Sequence, residues 1–279
     1  MKSLFVCGKI TLLLTVISLT GFISMRNLGE NDSGFGTKPH IISREEWGAR
    51  RPFDSNDLFF YPCDSLKHYL QYIVIHNTLG DFTIQSLQSY HQTTPSYQYN
   101  DIAYHFFIDD DGQIYEGREI YVNGAHAGYT EEEQETMKHM ESFFESLNRR
   151  EFLHSSHPKY KKYLSAQIKV RMLDPDWGAI GITIDGSFED TVPHISQLES
   201  LKHLLAYLKI TYEIPNDNII GHSEVDEKIS AVRGLTPYHK PGKRYPCPGR
   251  SLLQKMDEMK RELPPDTKLA KTKIARHGQ

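Results

Sequence analysis

A strong charge of either sign is absent. Lys and Arg number 32 against 36 Asp and Glu, for a formal net charge of −4. The basic domain or stripe that marks a nucleic-acid binder is therefore missing, and that class is set aside. Cysteine is scarce, with three in 279 residues. Cys7 precedes the first apolar run, the wrong side for a lipid-modified cysteine, which leaves Cys63 and Cys247. In an exported protein two cysteines ordinarily read as one disulfide. Long apolar runs are scarce too. The run Ile10–Met25 is broken only by Thr, Ser and Gly, and it falls a little short of the about 20 residues that a membrane span needs. Lys2 and Lys9 flank its start, so residues 1–25 have the basic and apolar regions of an export signal. No small-x-small cleavage site follows, and an uncleaved N-terminal membrane anchor fits as well. Either way the chain is expected outside the cytoplasm, as a periplasmic, cell-envelope or secreted protein, tethered at its N-terminus in the second case.

Hydrophobic residues make up 38% and charged residues 24% of the chain, ordinary values for a globular protein with a buried core. Residues 26–40 read as a linker, rich in Asn, Gly, Ser and Pro. Tyr72–Ile75 reads as a buried strand, Ile84–His91 as a helix, and Ala103–Ile108 as a second strand turning through Asp109–Gly112 into a third at Gln113–Tyr115. Ile180–Ile184 and Ile219–Ile220 add two more strands. Ile195–Leu208 places Leu198, Leu201, Leu204, Leu205 and Leu208 on one helical face. Strands alternating with helices predict an α/β domain, 41–263, with a central mixed β-sheet flanked by helices. Residues 129–177 change character, with a charged helical stretch followed by a basic one, and read as a helical insertion. The Lys- and Thr-rich tail, 264–279, has almost no large apolar residues and is expected to be disordered. No internal repeat is visible.

Three residues form a candidate open metal site. His76 ends one buried strand, His222 follows another, and Cys247 sits in Tyr245-Pro-Cys247-Pro-Gly249. Catalytic zinc sites use three N, S or O protein ligands and leave one position open. Spacing alone leaves core or surface roles for these residues, and a Cys63–Cys247 disulfide, as alternatives.

Several blocks in order change that balance. They are Arg44-Glu-Glu-Trp47-Gly48-Ala49, Val74-Ile-His76-Asn77-Thr78, Asp101-Ile-Ala-Tyr104-His-Phe106, Asp111-Gly112-Gln-Ile-Tyr115-Glu-Gly117-Arg118, Gly124-Ala-His126-Ala-Gly128, Ala179-Ile-Gly181-Ile182, Gly221-His222-Ser-Glu-Val225 and Cys247-Pro-Gly249. Together the chain from about Ile41 to Leu253 resembles the type-2 N-acetylmuramoyl-L-alanine amidase and peptidoglycan-recognition-protein superfamily. The resemblance implies Zn2+ held by His76, His222 and Cys247, and Tyr104 assisting hydrolysis at the metal. It implies His126, Asn77 and Thr78 as substrate-binding residues, with peptidoglycan or muropeptides as partners. Members that only bind peptidoglycan typically lack the cysteine, so Cys247 favours an amidase over a recognition module, which stays as the alternative. Two positions depart from the pattern. Tyr245 stands where relatives place Lys or Thr, with Lys243 and Arg244 beside it. Thr183 stands where the bacterial recycling branch has a glutamate base, with Asp185 a stand-in on the same face. The 129–177 insertion is longer than the family norm and is expected to form a lid or wall beside the cleft, or a solvated decoration. His105, Trp47 and Arg118 are expected to be structural, and His91, His194, His203 and His239 to lie on the surface or on helix faces.

Overall fold

The computed structural model describes residues 36–53, 61, 66–128, 173–235 and 247–266. The expected signal or anchor, the disulfide partner Cys63, His239, Lys243, Arg244, Tyr245, nearly all of the insertion and most of the tail lie outside the described residues. Among the described residues, no helix is long and apolar enough to cross a membrane.

Five strands form one sheet: β1 (Tyr72–Asn77), β2 (Phe106–Ile108), β3 (Ile114–Glu116), β4 (Ala179–Ile184) and β5 (Ile219–Gly221), in the spatial order β3-β2-β4-β1-β5. The β2–β3 pair is antiparallel and every other pair is parallel, so the sheet is mixed, as expected. β1 and β4 are buried along almost their whole length, which is why they read as continuous apolar runs rather than alternating ones. In register, His76 sits opposite Thr183 and Val74 opposite Gly181.

Side chains alternate between the two faces. Ile73, Ile75, Ile180, Ile182 and Ile184 point to one side, where they pack with Leu201, Leu204, Leu205 and Leu208. Those leucines belong to α3 (Ile195–Tyr212), which runs one turn past its expected end. Leu252, Met256 and Met259 join the same core from α4 (Arg250–Glu262). This helix was not anticipated, although its buried residues recur at i, i+4 and i+7. Each fully buried Leu or Ile contributes about 1.5–3 kcal/mol of transfer free energy. The other face carries Val74 and His76. It packs against α2 (Ile84–Thr93), whose Thr83 side chain caps the first turn by accepting the Ser86 N–H. A one-turn helix, α1 (Leu66–Tyr69), leads into β1.

Three boundaries differ from expectation. The second strand begins at Phe106 rather than Ala103, which puts Tyr104 in the segment just before it. The end of the expected linker is fixed to the core, since Pro39 is buried and the Thr37 carbonyl meets His203 Nε2 at 3.0 Å. At the other end Asp266, expected in the tail, accepts the Asn216 N–H at 2.9 Å and pairs with the buried Lys209.

Candidate metal centre

The C-terminal ends of β1 and β5 lie side by side because the two strands are paired in parallel, Ile75 opposite Gly221. The next residues are His76 on one strand and His222 just beyond the other. Cys247 arrives from the chain preceding α4 and is tied to both. The Ser223 N–H donates to the Cys247 carbonyl at 2.8 Å, the Asn77 N–H approaches Cys247 Sγ at 3.4 Å, and Asn77 Nδ2 donates to the Pro248 carbonyl at 3.1 Å. Gly249 closes this junction. It adopts φ +95°, and a Cβ there would fall 2.3 Å from the Phe188 backbone, so only glycine allows the approach.

One side-chain donor atom from each of His76, His222 and Cys247 falls within 4.8 Å of the others, and all three residues are buried. The separation from His76 Nδ1 to Cys247 Sγ is 3.6 Å. Zinc–nitrogen and zinc–sulfur bonds at a tetrahedral angle place the two atoms about 3.6 Å apart. Cys247 is a free thiol; the disulfide alternative is not formed. Burial holds the His76 imidazole well below its ordinary range, helped by the neighbouring His222 and His126, so at neutral pH it is uncharged with a lone pair to offer. Burial pushes the Cys247 thiol up to about 12, against the opposing Asn77 N–H. Such a thiol stays protonated alone, whereas a coordinating cation deprotonates it. The donor set, its burial and its spacing fit a structural or catalytic zinc-type cation.

Tyr104 is half-buried, with its ring centroid 5.0 Å from that of His76 and 6.1 Å from that of His126. His126 was expected on the wall of a cleft. It is instead buried behind His76, its Nδ1 3.1 Å from His76 Nε2, and burial takes it down to about 3. Asn77, also expected at the cleft, is only 4% exposed and spent on the Cys247 junction. Thr78 Oγ1 donates to Asp185 Oδ1 at 2.9 Å and accepts the Gly186 N–H at 2.9 Å. Asp185 Oδ1 also accepts the Phe82 N–H at 2.8 Å. The Asp185 carboxylate therefore organises this loop rather than standing ready as a base. Thr183 lies beside His76 in register, fully buried.

His105 is buried, and its ring bridges the Gly181 N–H (2.9 Å) and the Val122 carbonyl (2.8 Å). Trp47 donates to the Glu116 carbonyl and Arg118 to those of Ile102 and Asn123. His91 departs from the surface position expected of it. It is buried, its Nδ1 accepts the Ala103 N–H at 3.3 Å, and its ring lies 5.5 Å from that of Tyr104. Sequence reasoning missed Asp176, a buried carboxylate 3.1 Å from His126 Nδ1. Its partner lies 50 positions away, and the only local signal was an Asp-Pro-Asp-Trp turn.

Residues 66–249 match the N-acetylmuramoyl-L-alanine amidase family model. The chain belongs to this amidase family. Among curated relatives, peptidoglycan-recognition protein SC2 of Drosophila melanogaster is 40% identical over 96 residues, 31% of this chain. In that match the chain spans about half the length of the relative (47%). Peptidoglycan-recognition protein LB of the same organism is 24% identical over 229 residues, covering 76% of this chain and 72% of the relative. Among solved structures, the N-acetylmuramoyl-L-alanine amidase LysC from Clostridium intestinale URNW is 20% identical, covering 81% of this chain and 97% of that one, with a TM-score of 0.47. The amidase family thus includes relatives named as enzymes and relatives named as recognition proteins.

Proposed function

We propose that this chain is an exported, zinc-dependent amidase that hydrolyses the bond between N-acetylmuramic acid and L-alanine in peptidoglycan. Membership of the amidase family and the names of its relatives support the substrate. The observation that carries the catalytic reading is Cys247, whose thiol lies 3.6 Å from His76 Nδ1 and completes a buried three-donor cluster. Binding a glycopeptide needs no such cluster, whereas metal-assisted hydrolysis does. The reading of residues 1–25 as an export signal or anchor supports action on the cell wall.

In this reading His76 and His222 hold the cation as neutral imidazoles and Cys247 holds it as a thiolate, with Asn77 N–H directed at the sulfur. When bound, zinc supplies Lewis acidity to the scissile carbonyl and acidifies water. Tyr104, beside His76, is the group on this chain that donates a hydrogen bond from its phenol Oη to the oxyanion as charge develops. Buried aromatic and imidazole rings around the cluster exclude bulk water, which strengthens that interaction. Asp185 has no part in proton transfer, because Thr78 and Phe82 hold its carboxylate.

The test is metal analysis paired with digestion of purified peptidoglycan. One zinc per chain, with release of stem peptides beginning at L-alanine, is expected. A chain that binds peptidoglycan, carries no zinc and releases nothing would establish the recognition module instead.

A further inference from the structure

Behind His76 lies a set of buried polar groups that the proposed hydrolysis does not use. His76 turns its ring nitrogens in different directions, Nδ1 toward Cys247 Sγ at 3.6 Å and Nε2 toward His126 Nδ1 at 3.1 Å. A neutral imidazole carries one proton. For Nδ1 to offer a lone pair to a metal, that proton must sit on Nε2, and Nε2–H then needs an acceptor. Water does not serve here, because His76 is 1% exposed and His126 6%. His126 Nδ1 is the group in place.

The His126 ring occupies a slot made for it. A Cβ on Gly181 would fall 2.3 Å from its Cδ2, and a Cβ on Gly124 would fall 2.5 Å from the same atom. Only glycine on both sides leaves room for the imidazole. The backbone beneath the ring is held as well. Asp176 Oδ1 accepts the N–H of His126 at 2.9 Å and of Ala127 at 3.0 Å. Asp176 is fixed in turn, since its own N–H donates to Asp174 Oδ1 at 2.8 Å while Asn123 Nδ2 donates to Asp174 Oδ2 at 2.7 Å. Arg233 donates to the carbonyls of Asp174 and Trp177 at 2.8 and 2.7 Å. Every link in this chain is buried or nearly so, and each donor meets an acceptor.

We propose that His126 and Asp176 are positioning residues of the metal centre: His126 accepts Nε2–H of His76, selecting the tautomer that presents Nδ1 to the cation, and Asp176 holds His126 in place. The inference rests on the zinc reading above. Metal-ligating histidines lean on an outer hydrogen-bond partner that fixes tautomer and ring orientation, and losing it costs about 10–100-fold in metal affinity. Here the outer partner is a second imidazole, with the carboxylate one step further back. A proton on His126 Nδ1, directed at Asp176, and a proton on His76 Nε2 exclude one another across 3.1 Å. The metal-ready arrangement therefore keeps the His126 proton on Nε2, and Asp176 acts through the backbone N–H groups of the loop.

The experiment is zinc affinity of the purified chain, measured without substrate by competition with a chromogenic chelator, with the cobalt(II) absorption spectrum as a second readout. His126→Asn keeps an acceptor near the position of Nδ1, while His126→Gln moves it away. The Gln variant is expected to lose about 10–100-fold in affinity, with an altered cobalt spectrum, and the Asn variant to stay close to wild type. Asp176→Ala is expected to weaken binding about tenfold, and Asp176→Asn, which keeps the Oδ1 acceptor, to restore it. Far-UV circular dichroism in chelator checks folding, and the Asp176 pair carries the test if a His126 variant does not fold. A folded His126→Gln chain that binds zinc like wild type, or Asn and Gln variants that lose equally, would overturn the proposal and leave the zinc reading intact. Wild type that binds no zinc would overturn the zinc reading itself.

Discussion

The two faces of the central sheet are made from alternate residues of the same strands, yet they do opposite work. On one face Ile73, Ile75, Ile180, Ile182 and Ile184 meet the leucines of α3 and the Leu and Met residues of α4 in an all-hydrocarbon core. On the other, Val74, His76, Gly181 and Thr183 face imidazoles, a thiol and small residues. The first face is tolerant in composition and demanding in volume. The second is demanding in identity, because each polar atom there needs a particular partner. It also carries local penalties, such as the Thr183 hydroxyl, which is buried with no hydrogen-bond partner among the described residues. A rigid apolar face lets the opposite face hold such costs without losing its geometry.

Substitutions that act on one face alone test this division. The largest effect is expected from Cys247→Ser, which leaves the apolar face untouched and should abolish zinc binding and peptidoglycan hydrolysis together; zinc retained at wild-type affinity would remove Cys247 from the ligand set. Leu204→Ala, in the hydrocarbon core, should cost about 2–5 kcal/mol in urea unfolding while the folded protein keeps its zinc affinity. If affinity fell in step with stability, the faces would not be separable. Gly181→Ala reverses that outcome. Its new methyl meets the His126 ring, so it should cost about 1–3 kcal/mol and also weaken zinc binding, and an unchanged affinity would show that the ring has room to shift.

The smallest effect is a slope with pH. Burial holds His91 down to about 4 and His105 down to about 3, against 6.5 when exposed. Between those limits the unfolded chain binds protons that the folded chain does not. Stability of the metal-free protein is therefore fully present above about pH 6.5 and falls as pH drops toward 4, by about 1.4 kcal/mol per unit for each histidine. Urea midpoints measured across that range check it, and the apolar face contributes nothing to the slope. A flat profile would mean that these rings are solvated.

The apolar face was legible in the sequence because its signal is local. Periodicity gave α3, and unbroken β-branched runs gave β1 and β4. α4 carried the same kind of signal in Leu252, Met256 and Met259 and was passed over among its many charges. The strand containing Tyr104 was drawn too long, because alternation continues through residues that pair outside the regular ladder; Gly117 N–H donates to the His105 carbonyl and Arg118 N–H to that of Tyr104. The polar face was legible only where residue type carried meaning by itself, as with His76, His222 and Cys247. His126 was read as a loop residue at a cleft, and Asp176 was not read at all. Both owe their positions to partners about 50 residues away, a distance at which sequence pattern carries no geometric information.

The bonds from Asp176 to His126 and Ala127 have one more effect. They join the point where the chain leaves the domain, just before Gly128, to the point where it re-enters at Asp174–Trp177. Whatever lies between is suspended from a closed stem. Doubling the length of such a loop costs only about 0.6 kcal/mol in closure entropy. The junction is therefore a grafting port, at which evolution or an engineer can exchange the intervening sequence, short for long, while the catalytic scaffold stays as it was.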